Sequence, residues 1–381
     1  MTLAVAIVVL IAIAGGLTWS LASGQAGDSP ASAAVKPQQA HSHPSQPATP
    51  LQVLSASPAL ESRQVNGSDP VTITFNAPLA PGSPMPKITP AVSGSWSPAA
   101  ANKDEMVFMP STAFRPQTTV RVSVPAGPTG VRSAAGGLLS APFTVRFHTG
   151  SYSTLRLQQL LAQLGYLPLT WAPASGSPPA SDAAAQLAAA YSPPAGSFSW
   201  QSGYPRTLTD MWSAGSANMI DVGAIRAFES VKGLTMDGVA GPAVWRDLLA
   251  AADQGSNNPN GYTYAIASKN SPETLTIWHD GRIVLHTYAN TGIPAAPTYN
   301  GTYPVYERLP FQIMKGTNPD GSHYADPVQN VSYFHGGEAV HYFPRYSYGS
   351  LQSLGCVELP LGPSAVAYRY LTYGSLVTVQ A

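Results

Sequence analysis

The sequence predicts a multidomain chain: an all-β sandwich, then a small α-helical unit, then a mainly-β C-terminal unit. Three observations predict it. Short alternating runs broken by Gly and Pro fill residues 51–149. Leucines and other apolar residues return at helical spacing in residues 152–252. A hairpin pattern around His279-Asp280-Gly281 opens residues 258–381. The chain has 381 residues, and a prior of roughly 150 residues per domain gives two or three domains.

Composition removes several function classes. The formal net charge is zero and 10% of residues are charged, so the chain carries no basic stripe for nucleic acid. Neither a Gly-rich phosphate loop nor a dinucleotide fingerprint is present. With one cysteine and scattered histidines there is no metal-ligand spacing, and no metal or cofactor is expected. The single Cys356 cannot form an intramolecular disulfide. It is either a packing residue or a free reactive thiol.

Residues 1–22 are almost entirely apolar after Met1. That length suits a membrane anchor, needing roughly 20 residues, or a secretory signal segment. Residues 23–50 are rich in Ala, Ser, Gln and Pro and read as a disordered stalk. Both place the remainder outside the cytoplasm, membrane-anchored or secreted.

In residues 51–149, strands are expected at Val71–Phe75, Glu105–Phe108, Thr119–Val124 and Phe143–Phe147. Their spacing resembles bacterial immunoglobulin-like modules, at about 100 residues a usual sandwich size. In residues 152–252, Leu155, Leu157, Leu160, Leu161 and Leu164 predict a helix that Gly165 stops. A second helical run spans Val222–Val231 and a third Ala243–Leu249, separated by Asp237-Gly238 and Gly241-Pro242. This arrangement resembles the three-helix peptidoglycan-binding domain, interrupted by a long insert at residues 168–219. The resemblance implies contact with wall glycan, with a helical spacer as the alternative.

In residues 258–381, strands are expected at Thr274–Trp278, Arg282–His286, Gly301–Val305, Ala339–Tyr342 and Ser375–Gln380, with a helix near Pro363–Leu371. The chemistry concentrates in Tyr333–Pro360, YFHGGEAVHYFPRYSYGSLQSLGCVELP. A cysteine nucleophile needs a base within reach or another route to a lowered pKa. His341 lies fifteen residues before Cys356, across a loop long enough to fold back. The run Ser353-Leu354-Gly355-Cys356 gives a Gly-permitted turn that can aim the N–H groups of Gly355 and Cys356 at a developing oxyanion.

This stretch resembles the catalytic motif of L,D-transpeptidases, where a His-Gly or His-Ser pair precedes Ser-His-Gly-Cys, a small apolar residue and Arg or Asn. The resemblance implies a peptidoglycan crosslinking enzyme whose partners are stem peptides and glycan. It makes Cys356 the nucleophile and His341 the base. The Tyr342 carbonyl would orient the imidazole, Gly355 would donate to the oxyanion and Ser353 would support the turn. L,D-carboxypeptidase activity and a degenerate wall-binding domain stay open. His335, in Phe334-His335-Gly336-Gly337, also makes a His-Gly pair. His341 is preferred because Ala339-Val340 resembles the family strand.

Three departures stand out. Tyr342 replaces a small residue, Leu354 replaces the second His, and Glu358 replaces Arg or Asn. Glu358 is expected either to place a negative charge near the substrate, with Arg345 or Lys315 as compensating cations, or to face solvent.

Overall fold

The computed structural model describes residues 48–98, 103–176, 178–179 and 181–381. The expected anchor or signal segment, 1–22, and the stalk up to residue 47 lie outside the described residues. Among the described residues no helix is long and apolar enough to cross a membrane.

The first unit is a two-sheet sandwich. Its strands are β1 (Val53–Ser57), β2 (Ser62–Val65), β3 (Val71–Phe75), β4 (Lys87–Thr89), β5 (Gly94–Pro98), β6 (Glu105–Pro110), β7 (Thr119–Val124) and β8 (Phe143–Thr149). They pair in the orders β1-β3-β6-β5 and β2-β8-β7-β4. Strict alternation buries Val71, Ile73 and Phe75 from one sheet and Val120, Val122 and Val124 from the other. The two inner faces share one core.

Next come α1 (Thr154–Gln163), β9 (Leu169–Pro173), α2 (Ala183–Tyr191), β10 (Gly196–Trp200), α3 (Arg206–Thr209), α4 (Met219–Lys232) and α5 (Pro242–Gln254). Helix α4 starts on a capping box, with Asn218 and Asp221 each accepting the other's backbone N–H, and stops at left-handed Gly233. Helix α5 starts with Pro242 just inside Gly241 and stops at left-handed Gly255. The insert folds as well: β9 and β10 pair antiparallel, while Leu169, Ala190 and Leu208 are buried.

The C-terminal unit has β11 (Thr263–Ser268), β12 (Thr274–His279), β13 (Arg282–Tyr288), β14 (Gly301–Pro304), β15 (Glu307–Thr317), β16 (His323–His335), β17 (Glu338–Tyr342), β18 (Val357–Leu359), α6 (Leu361–Tyr370) and β19 (Leu376–Gln380). One sheet runs β13-β12-β11-β19-β14 and the other β15-β16-β17-β18. Asp280 and Gly281 turn the β12–β13 hairpin with φ of 46° and 74°, as a type I′ turn requires. Between the sheets lie Ala265, Ala267, Ile277, Val340, Val357 and Val377, with Ala367 and Leu371 beside α6.

Strand β11 is buried almost throughout because both of its faces are covered. Ala265 and Ala267 face the second sheet's core. Tyr264 and Ile266, with Leu376 of β19, belong instead to the core built by α1, α4 and α5. The three helices therefore do not close a hydrophobic core of their own; they form a layer on the C-terminal sheet. This packing differs from a separate helical wall-binding module.

The layer seats through a backbone contact at Gly223 of α4. A Cβ there would lie 2.6 Å from the Gly374 carbonyl oxygen and 2.9 Å from a methyl of Leu376. Glycine to alanine inside a helix ordinarily stabilises, by roughly 1 kcal/mol. Here the sign should reverse. Gly223→Ala is expected to cost about 1–3 kcal/mol through overpacking, read as a lowered midpoint in urea unfolding.

Candidate active site

Strands β17 and β18 run parallel, with Val340 opposite Val357, His341 opposite Glu358 and Tyr342 opposite Leu359. The chain leaves β17 at Tyr342, makes a loop over residues 343–352, and enters β18 through the turn Ser353–Cys356. Sites distant in sequence thus become neighbours across one strand pair.

The turn is held from three sides. Ser353, fully buried, donates its hydroxyl to the Cys356 carbonyl at 2.6 Å. The Ser353 N–H donates to the Thr291 carbonyl, and the Ile293 N–H donates to the Ser353 carbonyl. Thr291 is fixed in turn by buried Glu273, which accepts its N–H at 2.7 Å and its hydroxyl at 2.8 Å. Gly355 adopts φ of +110°, where a side chain would be strained.

Cys356 is partly exposed in the wall of a cavity of about 420 Å³, which His341 also lines. The outer wall comes from the long β15–β16 hairpin, through Gln312, Met314, Tyr324 and Asp326. Within the described residues the Cys356 thiol contacts the Gly337 carbonyl, Sγ to oxygen 3.8 Å.

His341 is buried, and its Nδ1 lies 3.0 Å from the Tyr342 carbonyl oxygen. A carbonyl only accepts, so Nδ1 carries the proton and Nε2 keeps its lone pair. Burial holds the imidazole pKa below its ordinary 6.5, which outweighs the opposing pull of the Tyr342 carbonyl and Glu358. Burial also pushes the Cys356 thiol up to about 12, with Glu358 and Glu338 adding to the rise and the Ala339 N–H opposing it. The resting pair is a neutral thiol and a neutral imidazole.

Glu358 is buried at the edge of the cavity, which it lines together with Arg345. Arg345 grips it in a fork, Nε and Nη2 each 2.7 Å from a carboxylate oxygen. Of the two cations that the sequence offers as compensation, Arg345 is the one paired with Glu358. Breaking such a pair from one side typically costs about 3–5 kcal/mol. His335 sits elsewhere: it stacks on Tyr303 with ring centres 4.1 Å apart and meets Glu338 at 3.2 Å, outside the cavity lining.

The structure thus brings Cys356, His341, the Tyr342 carbonyl, Ser353 and Gly355 into one neighbourhood. The Gly355 N–H, expected to face an oxyanion, donates to Ser353 Oγ at 3.3 Å. Sequence reasoning missed Thr291, which holds the turn through its backbone carbonyl, and Glu273, whose carboxylate holds Thr291; both lie far from the motif. It also missed the Glu338–His335 contact, for which the spacing of three residues was the available signal.

Residues 262–379 match the family model of the L,D-transpeptidase catalytic domain. Residues 47–149 match the bacterial Ig-like domain. Among curated proteins the chain finds no match. Among solved structures it is similar to an L,D-transpeptidase from Mycobacterium smegmatis, 15% identical over 87% of this chain and 100% of that one, with a TM-score of 0.30. It is similar to L,D-transpeptidase 3 from Mycobacterium tuberculosis in complex with a faropenem-derived adduct, at 16% identity, 86% and 98% coverage and a TM-score of 0.29. The catalytic domain of the E. faecium L,D-transpeptidase is 25% identical over 31% of this chain and 95% of that one, with a TM-score of 0.28. The cavity bearing Cys356 lies within the residues that match the L,D-transpeptidase catalytic domain.

Two outcomes follow from the geometry of that domain. In a 15N NMR titration of the full chain, His341 should change protonation at a midpoint below 6.5 and keep its proton on Nδ1 above it. Ser353→Ala removes the hydroxyl that satisfies the buried Cys356 carbonyl, at a cost of roughly 1–3 kcal/mol. Thermal unfolding should show the loss.

Proposed function

We propose that this protein is a peptidoglycan L,D-transpeptidase acting outside the cytoplasm, which forms peptide crosslinks through a thioester on Cys356. The observation that carries the reading is the shared cavity: the chain's only cysteine and a buried His341 with a free Nε2 line one wall.

The chemistry follows from the protonation state. With its pKa near 12, the thiol needs a base as it attacks. His341 Nε2 takes the thiol proton while sulfur adds to the carbonyl carbon of the L,D bond in a tetrapeptide stem. The Cys356 N–H is the donor we assign to the oxyanion, since the Gly355 N–H is engaged by Ser353. The tetrahedral intermediate collapses as the imidazolium returns the proton to the leaving amine, and D-alanine departs. The side-chain amine of a neighbouring diamino acid then attacks the thioester and passes a proton to His341, which returns it to the departing sulfur and so restores the neutral thiol and imidazole. The Tyr342 carbonyl holds the ring through both steps. No nucleotide enters, because the thioester conserves the energy of the cleaved bond.

Surface contact with glycan belongs to the same reading, with the helical layer on the β11 sheet as the place to look. Residues 1–22 would supply the anchor or export signal.

The test is turnover of tetrapeptide-bearing muropeptides by the full chain. Wild type should release D-alanine and yield crosslinked dimers, with a thioester visible by intact mass on Cys356. Cys356→Ala should lose at least about 10³-fold in rate, the order expected when a nucleophile is removed. Turnover retained by that variant would end the proposal.

A further inference from the structure

Between Tyr342 and Ser353 the loop carries a second ionic feature that the acyl-transfer chemistry does not use. Glu358 stands opposite His341 in the parallel ladder, and its side chain is 6% exposed. Its carboxylate is satisfied by Arg345 through two bonds of 2.7 Å. The same Nη2 also donates to the Gln352 carbonyl at 2.9 Å, the residue that leads directly into the nucleophile turn. The guanidinium lies over the Phe343 ring at 4.6 Å. Tyr348 closes the loop on itself by donating to the Phe343 carbonyl at 2.6 Å and accepting the Arg345 N–H. A bidentate fork fixes orientation as well as charge.

We propose that Arg345 is the positioning residue of the nucleophile turn: its guanidinium, locked to Glu358 and the Gln352 carbonyl, fixes residues 352–356 against β17 and cancels the carboxylate that β18 brings beside His341. Two observations carry this independently. One is geometric, the double tether from a single side chain to β18 and to the turn. The other is electrostatic, because Glu358 bears on both His341 and Cys356 and only Arg345 pairs with it among the described ion pairs.

Other groups face the same space. Glu338 on β17 bears on the sulfur, and Asp326 on β16 bears on Arg345. Lys315 on β15 lines the cavity. The phenols of Tyr306, Tyr324 and Tyr333 also feel Cys356. Each of these stays in place in the variants below, so the comparison isolates the pair.

The inference rests on Cys356 as the working thiol of the proposed enzyme, and its test needs no substrate. The rate of Cys356 alkylation by iodoacetamide is measured from pH 6 to 9 in the full chain, with folding checked by circular dichroism. Arg345→Gln leaves Glu358 uncompensated and should slow alkylation about tenfold at pH 8, the effect of one pH unit on the thiolate fraction. Glu358→Gln leaves Arg345 uncompensated and should speed it about tenfold. The double variant should return to the wild-type rate. Mere loosening of the loop would speed alkylation in all three, so the opposite signs and their cancellation are what structural damage cannot produce. If Arg345→Gln does not fold, Arg345→Met takes its place, with the same slowing expected and an unchanged or faster rate overturning the proposal. Profiles that coincide with wild type in folded Arg345→Gln or Glu358→Gln would overturn the proposal. Shifted alkylation profiles together with absent muropeptide turnover in wild type would instead overturn the crosslinking function and leave the role of Arg345 standing.

Discussion

The parallel pairing of β17 with β18 is the constraint on which the site depends. Parallel neighbours cannot be joined by a tight turn; the chain must cross over. The crossover here is the loop of residues 343–356, and it has no helix to satisfy its own backbone. Its polar groups are met instead by Arg345, Tyr348, Asn290 and Thr291. The register decides the rest. Once His341 is opposite Glu358, Cys356 ends the loop at the start of β17, its Sγ 3.8 Å from the Gly337 carbonyl oxygen. A slip of one residue would turn His341 to the other face and remove it from the cavity.

Burial is the second determinant, and it acts in opposite directions on the two reacting groups. It keeps the imidazole neutral and therefore able to accept a proton, and it keeps the thiol protonated. A preformed ion pair would be costly in so enclosed a place. The arrangement favours transfer of the proton during attack over storage of a thiolate at rest. The β15–β16 hairpin contributes by covering the cavity, with Tyr333 donating to Gln312 across its two strands at 2.7 Å.

Much of this was legible in the sequence where a local rule sufficed. The Asp280-Gly281 hairpin, the Gly-terminated helices and the alternating sandwich strands each follow from short-range chemistry, and the structure has them at those positions. The motif around Cys356 likewise gave the loop and turn that the site uses. What escaped was tertiary. Strand β11 shows no alternation because it is covered on both faces, so nothing in its pattern marks an edge or a surface. The hairpin β15–β16 alternates Phe311 and Ile313 outward against Gln312 and Met314 inward, an inversion that hides a strand whose buried side is a polar cavity. The charge on Glu358 was readable, but its partner thirteen residues earlier was one of several cations that the sequence could offer. Only the folded loop selects Arg345.

The packing also redraws the division of the chain. The sandwich has a core of its own, and it meets the helical layer through a small junction. There Tyr191 donates to the Phe114 carbonyl at 3.0 Å, and Asn66 donates to the Ser192 hydroxyl at 3.0 Å. The helical layer and the sheet that contains β11 and β19 instead share one core that contains Leu160, Phe228, Leu248, Tyr264 and Leu376. Separating them would expose the apolar face of β11 and the Gly223–Gly374 contact at once. Opening the sandwich junction exposes no such shared core. The helices therefore back the sheet that contains β11 and β19, whose opposite face shares a core with the sheet that carries the site. A load on their outer surface would pass to the site through the helical core, the β11 sheet and the core between the two sheets, without an intervening linker.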